Sequence, residues 1–554
     1  MGKLINSIRQ LFQYQEQNNY EFTLSDSNVH PNEEPDKIHE KVSYKYDDNL
    51  TFIQDKYSVL INSDIKLREF FLTFQNKQYK SFLFYIDGMI DTNSINHYVL
   101  DPLMLQSKTL SSHTQTNNQE NKVSIVKPQD FQNYILDSLL PQNDVSTSNE
   151  FSKIFLAVNT GVSALFIDTL SVAFLIDAKG FEKRSIPIPD NEFIIRGSQE
   201  GFIEAIRTNT SLLRRLINSE NLIIETTSVG KINNNTCCIC YLKNIANPSL
   251  ISEVKYRVNN VEVDSIISSG ELEQLITDSK FGLPLVIATE RPDRVASYIL
   301  DGRVAIIING SPYVLVAPSV LTDFLSSSED KNLNSYFSNL LKFVRLLALI
   351  ITLCLPGFYI AVTTFHQEII PTELLFAIVS SRNSVPFPII FEILIMEISL
   401  ELIRESGIYV PSPLGQTIGI VGGLILGDAA VSAHIVSPIL IIVVAITGLT
   451  SFAIPDYSLS FHIRIVRFSY ILAGYFAGFL GIALAITIHL GTLSSINSFG
   501  VCYLNPYTFF GVHKSNSYFL NPIWKREKRE PFLKTKRAQR EPKISMKWKF
   551  GGKN

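Results

Sequence analysis

The sequence predicts an α+β multidomain membrane protein, with an N-terminal soluble region of two small α/β subdomains and a C-terminal helical transmembrane bundle of about four to six crossings. Three observations lead there. Long uncharged runs are confined to the C-terminal part, strand-like and helix-like patterns alternate before it, and a strongly basic run closes the chain.

The uncharged runs come first because they bound the fold. Residues 346–365 carry no formal charge and lie between Arg345 and His366. Between Pro413 and Pro455, Asp428 is the only carboxylate and no Lys or Arg occurs. Residues 468–490 form a third run behind Arg467. A helix rises about 1.5 Å per residue, so roughly 20 apolar residues cross a ~30 Å hydrocarbon layer. Each run meets that length, and the longest allows two passages.

Ahead of them, residues 1–50 are polar and read as a flexible lead-in without a signal-peptide apolar core. A first subdomain is predicted over 51–145. It has a helix over 65–74, a strand at Ser81–Ile86 closed by Asp87-Gly88, and helices over 94–105 and 128–140. The Ser/Thr/Asn/Gln-rich stretch 106–121 between those helices reads as a surface linker. A second subdomain is predicted over 146–335, β-rich at 154–167 and 172–176, with a helix over 201–217. Strands at 222–227, 237–242, 285–288 and 304–308 then alternate with helices at 249–258, 271–277 and 291–300. The transmembrane domain spans 340–510, and 511–554 forms a basic tail, expected to be mobile and cytosolic.

The tail explains a misleading net charge. Residues 525–553 hold twelve Lys or Arg against three Glu, a local excess hidden in a whole-chain value of -3. Placed after the last span, such a run follows the positive-inside rule and favours anionic lipid over nucleic acid. Cys237, Cys238 and Cys240 cluster without further zinc-like spacing, so reduced buried thiols are expected, with no metal and no cofactor. No nucleophile–base pair or phosphate loop with its lysine is evident, which argues against an enzyme. Glu290-Arg-Pro-Asp293 reads as a charge-paired helix start with Pro292 in the first turn.

Several strings go beyond class. They are Thr289-Glu-Arg-Pro-Asp293, Asp301-Gly-Arg-Val-Ala-Ile-Ile-Ile-Asn-Gly-Ser-Pro312, Leu355-Pro-Gly-Phe-Tyr-Ile-Ala-Val-Thr-Thr-Phe-His366, Ile370-Pro-Thr-Glu-Leu374, and Ser381-Arg-Asn-Ser-Val-Pro-Phe-Pro388. Gly419-Ile-Val-Gly-Gly423, Ser437-Pro438, Ser451-Phe-Ala-Ile-Pro455 and Ser498-Phe-Gly500 follow in order. Together they resemble the GerA family, the A subunits of spore germinant receptors, over roughly residues 50–510. Gly197-Ser-Gln-Glu200 stands where Gly-Pro-Arg-Glu is usual, Asn309 replaces a usual Asp, and Cys502 a usual Pro.

The resemblance implies a receptor in the inner membrane of a dormant spore, and the polar N-terminus and basic tail are expected to put the N-terminal domain and tail on its cytosolic side. It implies a permease-like B subunit and a lipoprotein C subunit as partners, and an oligomeric, nutrient-gated ion channel that starts germination. The B subunit is then the nutrient-binding site. Two other classes stand beside it: a transporter or permease with a cytosolic regulatory domain, and a non-conducting scaffold coupling a sensor to germination machinery.

Within the membrane half, Glu392, Glu397, Glu401 and Glu405 make residues 386–407 too charged for a lipid-facing span. Glu397, Glu401 and Glu405 are four apart and share a helix face. Two readings stand. Repeated around an oligomer they form acidic rings attractive to cations, or they lie on an amphipathic surface helix with Glu401–Arg404 pairing. Asp428 and His434 are gating or proton-linked candidates, or a polar bend near Pro438. Gly419, Gly423 and Gly427 form a small-residue face suited to helix packing. Pro356-Gly357 is expected to kink the first span. Lys342, Arg345 and the basic tail place both ends inside, which leaves Arg464 and Arg467 awkwardly outside if the last span is straight.

Overall fold

A computed structural model describes residues 22–27, 41–74, 77–106, 128–142, 144–180, 189, 192, 194–278, 282–408, 426–505 and 518–540. It is α+β, with a sheet-rich N-terminal region followed by helices. The first unit holds a five-stranded sheet of order β1-β2-β4-β5-β3. Its strands are β1 (Ile65–Phe74), β2 (Lys77–Ile86), β3 (Val145–Ser148), β4 (Ser163–Ile167) and β5 (Ala173–Ile176). The helices are α1 (Tyr46–Lys56), α2 (Pro128–Tyr134) and α3 (Phe151–Asn159), with a helical stretch from Thr92 to Gln106.

Alternating strands and helices predict layered α/β packing and leave the strand direction open. Every pairing in this sheet is antiparallel. Both faces are nonetheless covered. Ile65, Phe82, Phe84 and Phe166 pack with Tyr57, Phe151 and Phe155 on one side, while Phe70, Leu72, Leu83 and Phe174 pack with Val99, Leu103 and Ile135 on the other. Covering both faces turns a strand into a near-continuous apolar run, so the alternation that marks a half-exposed antiparallel strand is lost. This explains two local corrections. Ile65–Phe74 is not a helix but a ten-residue strand, fully paired to β2 from Ile65↔Ile86 to Phe74↔Lys77. Residues 154–167 divide into the end of α3 and β4 rather than reading as β throughout.

The second unit repeats the layering with order β6-β7-β9-β10-β8. The strands are β6 (Leu222–Val229), β7 (Asn235–Leu242), β8 (Ile287–Thr289), β9 (Val304–Ile308) and β10 (Val314–Ala317), again all antiparallel. Helices α4 (Ile206–Leu216) and α7 (Pro292–Asp301) cover one face, and α5 (Pro248–Asn259) and α6 (Ser269–Ile276) the other. All five residues of β9 are buried, and each large aliphatic side chain so placed contributes about 2 kcal/mol. Cys237, Cys238 and Cys240 are buried in β7, and burial raises their thiol pKa values. The helix start at Glu290–Asp293 is as read: Pro292 occupies the first turn, and Arg291 pairs with Asp293 at 3.0 Å.

The two units are joined by a buried ion pair. Arg214 donates through Nε and Nη2 to the two Asp64 carboxylate oxygens at 2.8 and 2.9 Å, with side chains 2% and 1% exposed. Its Nη2 also donates to Asn62 Oδ1. The Ile224 amide donates to that same oxygen, and Asn62 Nδ2 donates to the Leu222 carbonyl.

The helices that carry the membrane half are α8 (Ser335–Thr364), α9 (Thr372–Arg382), α10 (Ile389–Ile408), α11 (Pro438–Phe452) and α12 (Tyr457–Ser495). Among the described residues, two of these, α8 and α12, are long and apolar enough to cross a membrane. α12 is broken at Gly478, whose φ of 58° and ψ of -138° lie outside the helical region. The break folds the helix back on itself: Tyr470 Oη lies 3.1 Å from His489 Nδ1, and the His462 and His489 rings are 6.2 Å apart. Both ends therefore return to the soluble part, where Ile454, Leu459, Leu493 and Ile496 join a core with Phe324 and Tyr503. α12 is therefore not one straight helix, and Arg464 and Arg467 lie on its first half, near the end that joins this core. Pro356-Gly357 sits at a close crossing, where a Cβ on Gly357 would meet the Tyr470 carbonyl at 2.5 Å and one on Gly474 would meet the Gly357 carbonyl at 2.5 Å.

After α12 the chain re-enters the soluble part through the hairpin of β11 (Asn497–Ser498) and β12 (Val501–Cys502). Ser498 Oγ donates to the Leu285 carbonyl at 2.6 Å and accepts from the Ser319 amide. Residues 518–540, expected as a free tail, are instead docked. Arg529 Nε donates to the Leu300 carbonyl, Arg540 pairs with Asp301, and Lys534 Nζ donates to the Leu24 carbonyl. Gly302, with φ of +102°, ends α7 where a Cβ would collide with Thr535.

Candidate functional site

The carboxylates singled out in the membrane half lie on α10, and the structure divides them. Their i, i+4 spacing does put Glu397 and Glu401 on one face, which turns toward the first half of α12. There, Arg464 and Arg467 are three apart and share a face of an antiparallel neighbour. Arg467 Nη2 lies 2.6 Å from Glu397 Oε2, with side chains 2% and 0% exposed. Arg464 Nη1 donates to Glu401 Oε2 at 2.8 Å, and Arg404 lies 3.4 Å from the other Glu401 oxygen. Arg467 also reaches Glu401 at 3.9 Å.

Three guanidinium groups thus face two carboxylates. Arg404 is further held by Ser451 Oγ at 2.9 Å and by the Phe452 ring, 4.7 Å away. Among the described residues, the Nε atoms of Arg404, Arg464 and Arg467 and both Glu397 oxygens are buried without a well-formed hydrogen bond. A buried charge network satisfied only in part is costly to hold in one arrangement.

Glu392 stands apart. It is fully buried, accepts from the Ser437 amide at 3.0 Å at the start of α11, and lies 3.5 Å from Arg382. Its carboxylate caps a helix N-terminus, where a negative charge is favoured. Glu405 is exposed, as are Asp428 and His434, the latter in a left-handed turn with φ of 55°. These three are not brought to the cluster. Gly427 places its would-be Cβ 4.0 Å from Ile441 of α11, whereas Gly419 and Gly423 lie outside the described residues.

Sequence reading found the glutamates and the Glu401–Arg404 pair, and missed Arg464 and Arg467 as partners. The available signal was Arg464-x-x-Arg467, whose spacing complements Glu397-x-x-x-Glu401 across antiparallel helices. It was obscured because the break at Gly478 leaves no polar gap in an apolar run.

Comparison with known proteins supplies the family. Residues 51–532 match the family described as Bacillus/Clostridium GerA spore germination protein. Spore germination protein KA of Bacillus subtilis is 36% identical over 478 residues, covering 86% of this chain and 85% of that protein. Spore germination protein B1 of the same organism is 35% identical over 80% of this chain and 88% of its own length. An uncharacterized membrane protein of that bacterium, YfkQ, is 33% identical over 81% and 84%. The crystal structure of the N-terminal domain of the A subunit of the Bacillus megaterium spore germinant receptor GerK3 matches at 27% identity with a TM-score of 0.37, covering 51% of this chain and 98% of that one. This chain belongs to the GerA spore germination protein family.

Proposed function

We propose that this chain is the A subunit of a nutrient germinant receptor, which transduces a germinant signal by gating an ion pathway in an oligomer. The observation that carries the reading is the buried, partly satisfied charge cluster between α10 and α12. Lipid alone would not tolerate such charges, and paired across two helices they form a latch whose opening frees Glu397 and Glu401 for cations. The bundle has about four to six crossings on this reading, among them α8, α10, α11 and the two halves of α12. An even number keeps the soluble units and the docked C-terminal segment together on the cytosolic side of the spore inner membrane. A permease-like B subunit supplies the nutrient site, and a lipoprotein C subunit completes the receptor.

The test is germinant-triggered cation release from spores carrying Glu397→Gln with Glu401→Gln. Altered release is expected, and unchanged release refutes the pathway. Arg467→Gln alone is expected to leak cations before germinant is added. Conductance of the purified chain in lipid bilayers separates a channel from a non-conducting scaffold, and a monomeric detergent-solubilised complex would count against the oligomer.

A further inference from the structure

We infer that residues 519–528, together with the first turns of α8, form a docking surface for the anionic cytosolic face of the membrane. The inference rests on reading α8 as a crossing.

α8 has 30 residues, a length of about 45 Å against a ~30 Å hydrocarbon layer, so roughly ten residues project beyond it. Lys342 and Arg345 mark which ten, because the uncharged run begins at Leu346. The projecting turns are nonetheless apolar on the outside. Tyr336 is 83% exposed, Phe337 66% and Leu340 61%. An exposed aromatic surface at the end of a spanning helix fits the headgroup layer, where amphipathic rings collect.

The C-terminal segment is pinned to those same turns. Leu520 exchanges two hydrogen bonds with the Asn339 side chain, at 2.7 and 3.2 Å. Tyr518 Oη donates to the Lys342 carbonyl at 3.0 Å, and Lys342 Nζ donates to the Tyr518 carbonyl at 3.0 Å. These bonds fix the depth of the segment just past Tyr518 at the level of residues 339–342. There Ile523 and Trp524 are exposed, beside the exposed Lys525 and Lys528. A tryptophan followed by Lys525, Arg526 and Lys528, against the single exposed Glu527, matches lipid chemistry at headgroup depth: the ring enters the interface, and the cationic groups meet phosphates. Farther along, Arg529 and Arg540 bind the end of α7 through the Leu300 carbonyl and Asp301. The segment therefore links the bilayer surface to the second soluble unit.

The sequence holds two tryptophans, Trp524 and Trp548. The experiment uses the full chain with Trp548→Phe, reconstituted in vesicles of phosphatidylcholine with and without phosphatidylglycerol. Trp524 emission is read with lipids brominated near the glycerol end of the acyl chain. Shallow bromines are expected to quench Trp524, more strongly when phosphatidylglycerol is present. Lys525→Gln and Lys528→Gln should each lower the docked-to-free ratio about fivefold, the equivalent of about 1 kcal/mol per basic residue near an anionic surface. Emission open to aqueous iodide and indifferent to brominated lipid would overturn the docking surface. A chain that fails to float with vesicles after alkaline extraction would instead overturn the crossing itself.

Discussion

Removing one partner of the Glu397–Arg467 pair should destabilise the helical part asymmetrically. Stripping a buried pair of one member costs about 3–5 kcal/mol, because the other charge stays buried and unpaired. The geometry sets where in that range each variant falls. After Glu397→Gln, Arg467 retains Glu401 at 3.9 Å, so the loss should be near the low end, about 3 kcal/mol. After Arg467→Gln, Glu397 has no other ion-pair partner among the described residues, and the loss should reach about 4–5 kcal/mol. The double variant leaves neither charge stranded and should recover about 2 kcal/mol relative to the sum of the singles. Unfolding of the purified full chain in lipid nanodiscs, followed by helical circular dichroism, measures all three. Additivity within about 0.5 kcal/mol, or an Arg467→Gln variant more stable than Glu397→Gln, would refute the pair as an interlocked unit.

Two further outcomes concern the soluble part. Arg214→Lys keeps the charge opposite Asp64 but loses the two-pronged contact and the bond to Asn62. It should cost about 3 kcal/mol and speed proteolysis between residues 176 and 206, and an unchanged unfolding midpoint would contradict the proposed joint. Burial, reinforced by the nearby Asp456 carboxylate, pushes the Glu273 pKa up to about 7 from 4.5. A raised carboxylate pKa contributes stability that is present below about 4.5 and lost as pH rises through about 7. Glu273→Gln should therefore stabilise the chain by about 2 kcal/mol at pH 8, allowing for its partial exposure, and by almost nothing at pH 4. Equal thermal shifts at both pH values would count against that sign.

The sequence located the strand at 222–227 from its apolar start, Leu222–Ile224, and the fully buried strands 237–242 and 304–308 because a strand covered on both faces is apolar throughout. The same property hid β1, whose apolar residues face two different cores and so mimic helical spacing. It also hid the antiparallel pairing, since alternation with helices is shared by parallel and antiparallel layers. The docked segment 518–540 was illegible because its anchors are mainly backbone carbonyls, which carry no side-chain signature.

By itself, the sequence determined that the C-terminal half is suited to a membrane and that its carboxylates must not face lipid. Both follow from composition over some 20 residues and from the cost of a charge in hydrocarbon. Only the tertiary structure decided what those carboxylates meet. The reversal at Gly478 is a backbone event within an apolar run, and helix pairing sets Arg467 and Arg464, 70 and 63 positions away, against Glu397 and Glu401. Contacts of that sequence separation are fixed by packing, which no local pattern of residues encodes.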